Sequence, residues 1–258
     1  MIYIGPSGKG GYDNYGSLFT GLSEHGLSAM EVPFTYGVRM KQDKAKEVGK
    51  LAHEHGIRLS IHAPYYVNLA SPEEEKVQAS KARILDSCRR AHDMGATHVV
   101  FHPGFYQKRE PENVYSLIRD AMRDLMQTLR EEHLNVTLAP ETTGKQSQFG
   151  SLDELKRLMR DTGCSLCLDF AHVIARTGGT MSYEEMLEGL QGHIHGHFSG
   201  IEYSDKGERR HLDTEEKEAR KLFEAILARD MDVTLINESP HPFQDAVMMQ
   251  GVLNRITK

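Results

Sequence analysis

Cysteine is scarce in this 258-residue chain, with only Cys88, Cys164 and Cys167. So low and odd a count excludes a disulfide framework. Cys164 and Cys167 form a C-x-x-C, but residues three apart on a strand point to opposite faces. Two small buried side chains are expected there, not a zinc or redox pair. Apolar runs long enough to cross a bilayer are missing, so no membrane partner is expected. The start, "MIYIGPSG", has no basic segment followed by a long apolar one. No secretory signal is expected from it, and a cytoplasmic monomer is. Long linkers and low-complexity tracts are also lacking, which favours one domain over residues 1–258. A basic excess is absent as well, since the formal charge is −6 with neutral histidines. Alone this argues against a nucleic-acid partner. Bound divalent cations would change the local sum, so charge does not decide the partner.

What is present is histidine, 14 in all, and a regular alternation of short apolar runs with longer amphipathic ones. Strands are expected at 2–5, 28–33, 57–62, 97–102, 135–140, 164–169, 193–198 and 232–237. Between them, Val114, Ile118, Ala121, Leu125 and Leu129 keep one apolar helical face. "SPEEE" offers Ser71 as a helix cap with Pro72 in the first turn. "SLDE" and "SYEE" read as capping boxes, Ser151 with Glu154 and Ser182 with Glu185. Eight strands alternating with helices in about 250 residues fit a (β/α)8 TIM barrel. An open doubly wound sheet is the rival. Its nucleotide-binding form needs a glycine fingerprint that "GPSGKGG" lacks.

The ends of the strands carry the chemistry. Strand three ends in His62 ("LSIHAPYY") and strand four in His102 ("VVFHPGFY"). Glu141 follows strand five ("TLAPETTG"), Asp169 ends strand six ("CLDFAH"), His197 lies in strand seven ("HIHGHFSG") and Glu238 follows strand eight ("LINESP"). Glu31 stands near the end of strand two but is followed by apolar sequence. In a barrel these ends meet at one rim, where active sites are built. A lone histidine there is more often a satisfied core residue, and a lone acid is often a helix cap. Six consecutive strands delivering such groups is hard to explain as chance. Without cations the carboxylates would repel one another and the imidazoles would lack partners. Imidazole plus carboxylate suits Zn²⁺ or Mn²⁺. The donors are too many for one tetrahedral ion, so two or three ions are expected, with His172 reaching a neighbouring ion. His98, His193 and His195 lie deeper and read as structural. His25, His53, His55, His92 and His133 fall on helices or helix ends and read as solvated.

At these residues the sequence resembles the endonuclease IV family of apurinic/apyrimidinic endonucleases, within the xylose-isomerase-like barrels. The resemblance runs from "YIG" to "NESP" and rests on "FHPG", "ET-G", "LDFAH" and "NES". It implies a trinuclear zinc barrel that cleaves the phosphodiester 5′ to abasic sites in double-stranded DNA. Carried over, His62, His102 and Glu141 hold one ion. Glu141 bridges to a second ion held by Asp169, His197 and Glu238, and His172 and His211 hold the third. Glu141 and Glu238 are then the catalytic residues. "FTYGVRM" places Arg39 at the DNA backbone. "HAPYYVNLA" places Tyr65 and Tyr66 at the lesion with Asn68 nearby. Two departures stand out. Where the family has an Asp two residues before its last histidine, this chain has Arg209, with Glu208 beside it as the substitute. Where the family has a histidine after the first strand, this chain has Ser7.

Two other functions remain open from sequence. A single-metal sugar isomerase or epimerase would use Glu141, Asp169, His197 and Glu238, with the two glutamates moving protons. One Mn²⁺-like ion per chain would favour it, and two or three zincs the nuclease. A metal-loaded barrel that binds damaged DNA without cutting it is the third reading, kept open by Arg209.

Overall fold

The computed structural model describes residues 1–258. Its strands are β1 (Ile2–Pro6), β2 (Ala29–Pro33), β3 (Arg58–His62), β4 (His98–Phe101), β5 (Gly104–Phe105) and β6 (Thr137–Pro140), followed by β7 (Gln148–Phe149), β8 (Cys167–Asp169), β9 (His193–Phe198), β10 (Gly200–Ser204), β11 (Gly207–Leu212) and β12 (Asp232–Asn237). Two parallel four-stranded sheets, β2-β3-β4-β6 and β1-β12-β9-β8, form the barrel wall. Parallel bridges Ser7↔Glu31 and Glu141↔Cys167 join them at both seams. At the first seam Gly5 lies against β2, where a β-carbon would stand 1.6 Å from the Ala29 carbonyl oxygen. Only glycine permits that approach. The eight expected strands are thus the eight wall strands; β5 with β7 and β10 with β11 are antiparallel pairs added outside the wall.

Helices cover the wall because their apolar faces match it. In Pro111–Glu131, Val114, Ile118, Ala121, Leu125 and Leu129 are all buried, as their spacing demands. Both capping boxes form, Ser151 with Glu154 and Ser182 with Glu185, each contributing about 1 kcal/mol. Ser71 differs from expectation. Its hydroxyl accepts Glu73 N–H in a turn before the helix, which starts only at Glu74 with Glu73 as cap. The sixth wall strand is also shorter than expected. Cys164 lies outside it, packed in the apolar layer between wall and helices, while Cys167 faces inward beside Val100 and Ala139.

The barrel interior departs from the usual aliphatic filling. Ser60, His98, His195 and Glu31 are all buried, and His195 stacks on His98 with ring centroids 5.0 Å apart. A polar column therefore runs up the middle towards the rim.

Candidate metal centre at the barrel rim

Parallel strands bring their C-terminal ends to one mouth. There the structure gathers three donor groups: His62, His102 and Glu141; Glu141, Asp169, His197 and Glu238; and Asp169, His172 and His211. Within each group one donor atom per residue lies within 4.8 Å of the others. Glu141 belongs to the first two and Asp169 to the last two, so the groups are contiguous. Asp169 shows why a carboxylate ends a buried strand. Its Oδ1 caps the following helix, accepting His172 N–H at 2.7 Å. Its Oδ2 is buried with no hydrogen-bond partner and faces His172 Nδ1 at 3.5 Å.

The hydrogen bonds behind the rings decide what the front nitrogens can do. His62 Nδ1 lies 2.8 Å from the Ala63 carbonyl, and His172 Nδ1 lies 2.9 Å from the Thr142 carbonyl. Carbonyls only accept, so each Nδ1 carries the ring proton. His211 Nδ1 lies 2.7 Å from Ser199 Oγ, whose own hydrogen goes to Gly200 O. In the neutral rings every Nε2 is then a bare lone pair. Yet His62 Nε2 faces Glu141 Oε2 at 3.1 Å, and His172 Nε2 faces His211 Nε2 at 3.2 Å. His102 Nε2 sits 2.7 Å from the same Glu141 oxygen. His102 can donate its own Nε2–H, but in the His62–Glu141 and His172–His211 contacts acceptor facing acceptor requires positive charge between them, either an extra proton or a shared cation.

The electrostatics give the same demand. Burial opposes charging His62, but its hydrogen bond to Glu141 prevails and raises it to about 9. Burial opposes His172 as well, and Asp169 with Glu141 raises it to about 10. Burial also disfavours the charged form of Glu141, yet His102, His172 and His197 hold it well below the usual carboxylate range. Asp169 goes the other way, raised by burial that His172 only partly offsets. Protons can meet this demand, and so can divalent cations, which carry more charge per site. The donor set of imidazole nitrogens and carboxylate oxygens fits Zn²⁺ or Mn²⁺.

The hairpin of β10 and β11 turns Arg209 and Glu208 in different directions. Tyr203 pairs with Glu208 and Glu202 with Arg210, so the register shifts and Arg209 is left as the extra residue of a β-bulge. Three residues apart on a regular strand, Glu208 and His211 would face opposite ways. The bulge restores their parity. Glu208 Oε2 comes to 3.5 Å from His172 Nε2, while Arg209 turns outward to Glu202 at 3.4 Å. Gly144 allows this approach, since a β-carbon there would stand 2.6 Å from Glu208 Cβ.

Loops line the mouth. Tyr65 N–H reaches the Thr35 carbonyl at 3.4 Å, which ties the 62–68 loop to the loop carrying Tyr36 and Arg39. Tyr65 and Tyr66 are 60% and 63% exposed, and the Tyr65 ring lies 5.9 Å from that of His62. Arg39 is exposed. Asn68 is placed differently from the expectation for it. Its side-chain oxygen accepts Ala70 N–H at 3.2 Å, so it shapes the loop that carries it. Tyr36, 72% exposed, was not singled out by sequence. Glu31, which the apolar sequence after it sets apart from the rim acids, is fully buried beneath His197. Cys167 is more than a small apolar filler, since its sulfur lies within 4.8 Å of donor nitrogens of His195 and His197. No helix is long and apolar enough to cross a membrane.

Fold and site together define a (β/α)8 barrel with a histidine–carboxylate centre at its C-terminal mouth. The chain belongs to the xylose isomerase-like TIM barrel family, whose model matches residues 19–253. It is 38% identical over 249 residues to an uncharacterised protein of Methanocaldococcus jannaschii, covering 91% of this chain and 90% of that one. It is 29% identical over 189 residues to a probable endonuclease 4 of Aster yellows witches'-broom phytoplasma, covering 67% of this chain and 64% of that protein. Among solved structures, endonuclease IV from Thermus thermophilus superposes with a TM-score of 0.65 at 21% identity, covering 99% of this chain and 98% of that one. A D-tagatose 3-epimerase-like protein superposes with a TM-score of 0.75 at 18% identity, covering 99% and 97%. At these identities the two structures speak for the fold alone.

Proposed function

We propose that this chain is a metal-dependent endonuclease that hydrolyses the DNA phosphodiester 5′ to abasic sites, a base-excision repair activity. The observation that carries the reading is the chain of three donor groups linked through Glu141 and Asp169. A single-ion enzyme has no use for the outer two. His62, His102 and Glu141 would hold one ion, and Glu141, Asp169, His197 and Glu238 a second. His172, His211 and Glu208 would hold the third, Glu208 standing in for the absent aspartate. Zinc is the ion we infer, with Mn²⁺ the other that these donors suit. When bound, such ions neutralise phosphate charge and make water acidic enough to yield a nucleophile at neutral pH.

The chain's own residues supply the rest. Glu141, which belongs to two of the donor groups, would help hold an ion in each. Glu238 stands at the open side of the centre, 3.3 Å from His197 Nδ1, where it can orient the attacking water. Tyr65 and Tyr66 offer exposed rings on which a base or sugar beside the lesion can stack. Arg39 and the exposed Arg209 and Arg210 of the hairpin offer positive charge to the DNA backbone despite the net acidity. Glu208 beside the third donor group, 3.5 Å from His172 Nε2, weakens the case that Arg209 makes for a binder that does not cut.

The sugar isomerase or epimerase remains the second reading. It is favoured by the four-donor group Glu141, Asp169, His197 and Glu238, which alone would serve a single-ion proton-transfer enzyme. Incision of a duplex bearing one abasic analogue, measured with metal content before and after chelation, separates the two. Two or three zincs per chain and chelator-sensitive nicking 5′ to the lesion support the nuclease. One ion per chain, no nicking and epimerisation of a ketose would replace it.

A further inference from the structure

His197 is held from behind differently from the other rim histidines. His62, His172 and His211 each turn their rear nitrogen to a neutral acceptor, two carbonyls and a hydroxyl. His197 turns its Nε2 to a carboxylate, Glu31 Oε1, at 3.0 Å. The N–H direction is off line for a hydrogen bond, so neither atom has a hydrogen-bond partner and the contact is one of charge; on its other side His197 Nδ1 meets Glu141 Oε1 at 3.3 Å. Both side chains are fully buried. The other Glu31 oxygen accepts Ser60 Oγ–H at 2.8 Å and lies 3.1 Å from His195 Nε2. Its ion-pair contacts are to these two histidines, with no lysine or arginine among them. A carboxylate this deep is costly to keep, so its place under one ring calls for a reason.

We propose that Glu31 is a positioning residue for the central ion. With an ion on Nδ1 the ring proton of His197 would go to Nε2, and Glu31 is the group placed to accept it, leaving the Nδ1 lone pair facing Glu141, Asp169 and Glu238. A neutral imidazole has one ring proton. Were that proton on Nδ1, Glu31 Oε1 would face a lone pair at 3.0 Å. Were it on Nε2, Nδ1 would face Glu141 Oε1 and Glu238 Oε2, each at 3.3 Å, a side that a second ring proton or a bound cation satisfies. The negative charge of Glu31 also makes His197 a stronger donor than a carbonyl-backed ring. Ser60 and His195 fix the carboxylate, and His98 braces His195 by stacking. The inference rests on the reading that a cation occupies the rim, but not on the substrate, because His197 serves both the nuclease and the epimerase reading.

The test uses the full chain as wild type, Glu31→Ala and Glu31→Gln, dialysed against a series of zinc buffers, with zinc per chain measured at each. Wild type retains its full complement at free-zinc levels where Glu31→Ala has lost one ion, a 10- to 100-fold weakening on the scale of roughly 10–100-fold typical of such outer partners. Glu31→Gln keeps an acceptor oxygen without the charge and falls between. A second readout is the ¹⁵N-histidine spectrum of protein loaded with ¹¹³Cd. The Nε2–H tautomer of His197, with cadmium coupled to Nδ1, is expected in wild type and lost in Glu31→Ala. Mere loosening of the fold would not shift that tautomer selectively. Wild-type zinc affinity and an unchanged tautomer in Glu31→Gln and in folded Glu31→Ala would overturn the proposal. Wild type that takes up no zinc at saturation would overturn it together with the metal reading, a separate and recognisable failure.

Discussion

His172 and His211 meet nitrogen to nitrogen, Nε2 to Nε2 at 3.2 Å, each with its other ring nitrogen already engaged. They come from distant elements, one from the first turn of the helix after β8 and the other from the outer hairpin. Two neutral rings held this way repel through their lone pairs. The pair makes sense around a positive charge, and Glu208 brings a carboxylate to the same spot.

Replacing that carboxylate should cost one ion. Glu208→Gln is expected to lose one zinc per chain at a free-zinc level where wild type keeps all, with incision down about 100-fold or more, as for loss of an electrostatic group worth about 3 kcal/mol. Arg209→Ala, which removes an outward side chain, is expected to keep wild-type zinc content. Elemental analysis of both variants checks this, and the reverse pattern would reinstate Arg209 as the decisive departure.

Glu141 is shared by two donor groups, so its loss should be the most damaging single change. Glu141→Gln is expected to reduce incision by about 1000-fold or more, since several kcal/mol of charge stabilisation would go with the ions that the proposal assigns to it. Single-turnover incision on the purified, folded variant measures it. Wild-type turnover would remove Glu141 from its assigned role.

Protons and metal compete for the same rings, which sets the pH dependence. In the metal-free protein His62 and His172 are raised to about 9 and about 10 by Glu141 and Asp169, against the opposing effect of burial. Both lie above the ordinary value of about 6.5 for unfolded histidine. Their contribution to stability is therefore full below about pH 6.5 and lost as pH rises through about 9 to 10. Thermal melts of chelated protein should fall over that window. Zinc binding at pH 7 should release protons and tighten as pH rises. Melts of chelated protein that rise across the window would contradict the assignment.

On the proposed function the exposed tyrosines serve substrate contact, not the ions. Tyr65→Ala and Tyr66→Ala should weaken binding of abasic duplex by about 10-fold each, within the roughly 1–3 kcal/mol of a lost stacking contact. Zinc content should be unchanged. Duplex affinity and metal analysis on the same samples test both halves. An unaltered affinity in both variants would detach this loop from DNA.

Much of this was legible in the sequence for a physical reason. Parallel wall strands are mostly apolar and end at one rim, so a His, Asp or Glu at six successive strand ends announces itself. The hidden parts are those whose meaning is tertiary. Glu31 sits inside an apolar run, and its partner His195 lies 164 residues further on, beyond any local pattern. Glu208 and His211 are out of phase for a strand until the bulge at Arg209 is known. Asn68 lies in a motif that points to the mouth, but a backbone amide two residues away captures its side chain. Cys167 was read by strand parity alone, which does not reveal that the inward face carries histidines.

The most direct measurement is anomalous scattering at the zinc edge from crystals grown with zinc. The multi-ion reading expects distinct peaks at the mouth, one among His62, His102 and Glu141, one among Glu141, Asp169, His197 and Glu238, and one beside His172, His211 and Glu208. A single peak in the four-donor group would point instead to a one-ion enzyme. No peak at any of the three would contradict the metal centre altogether.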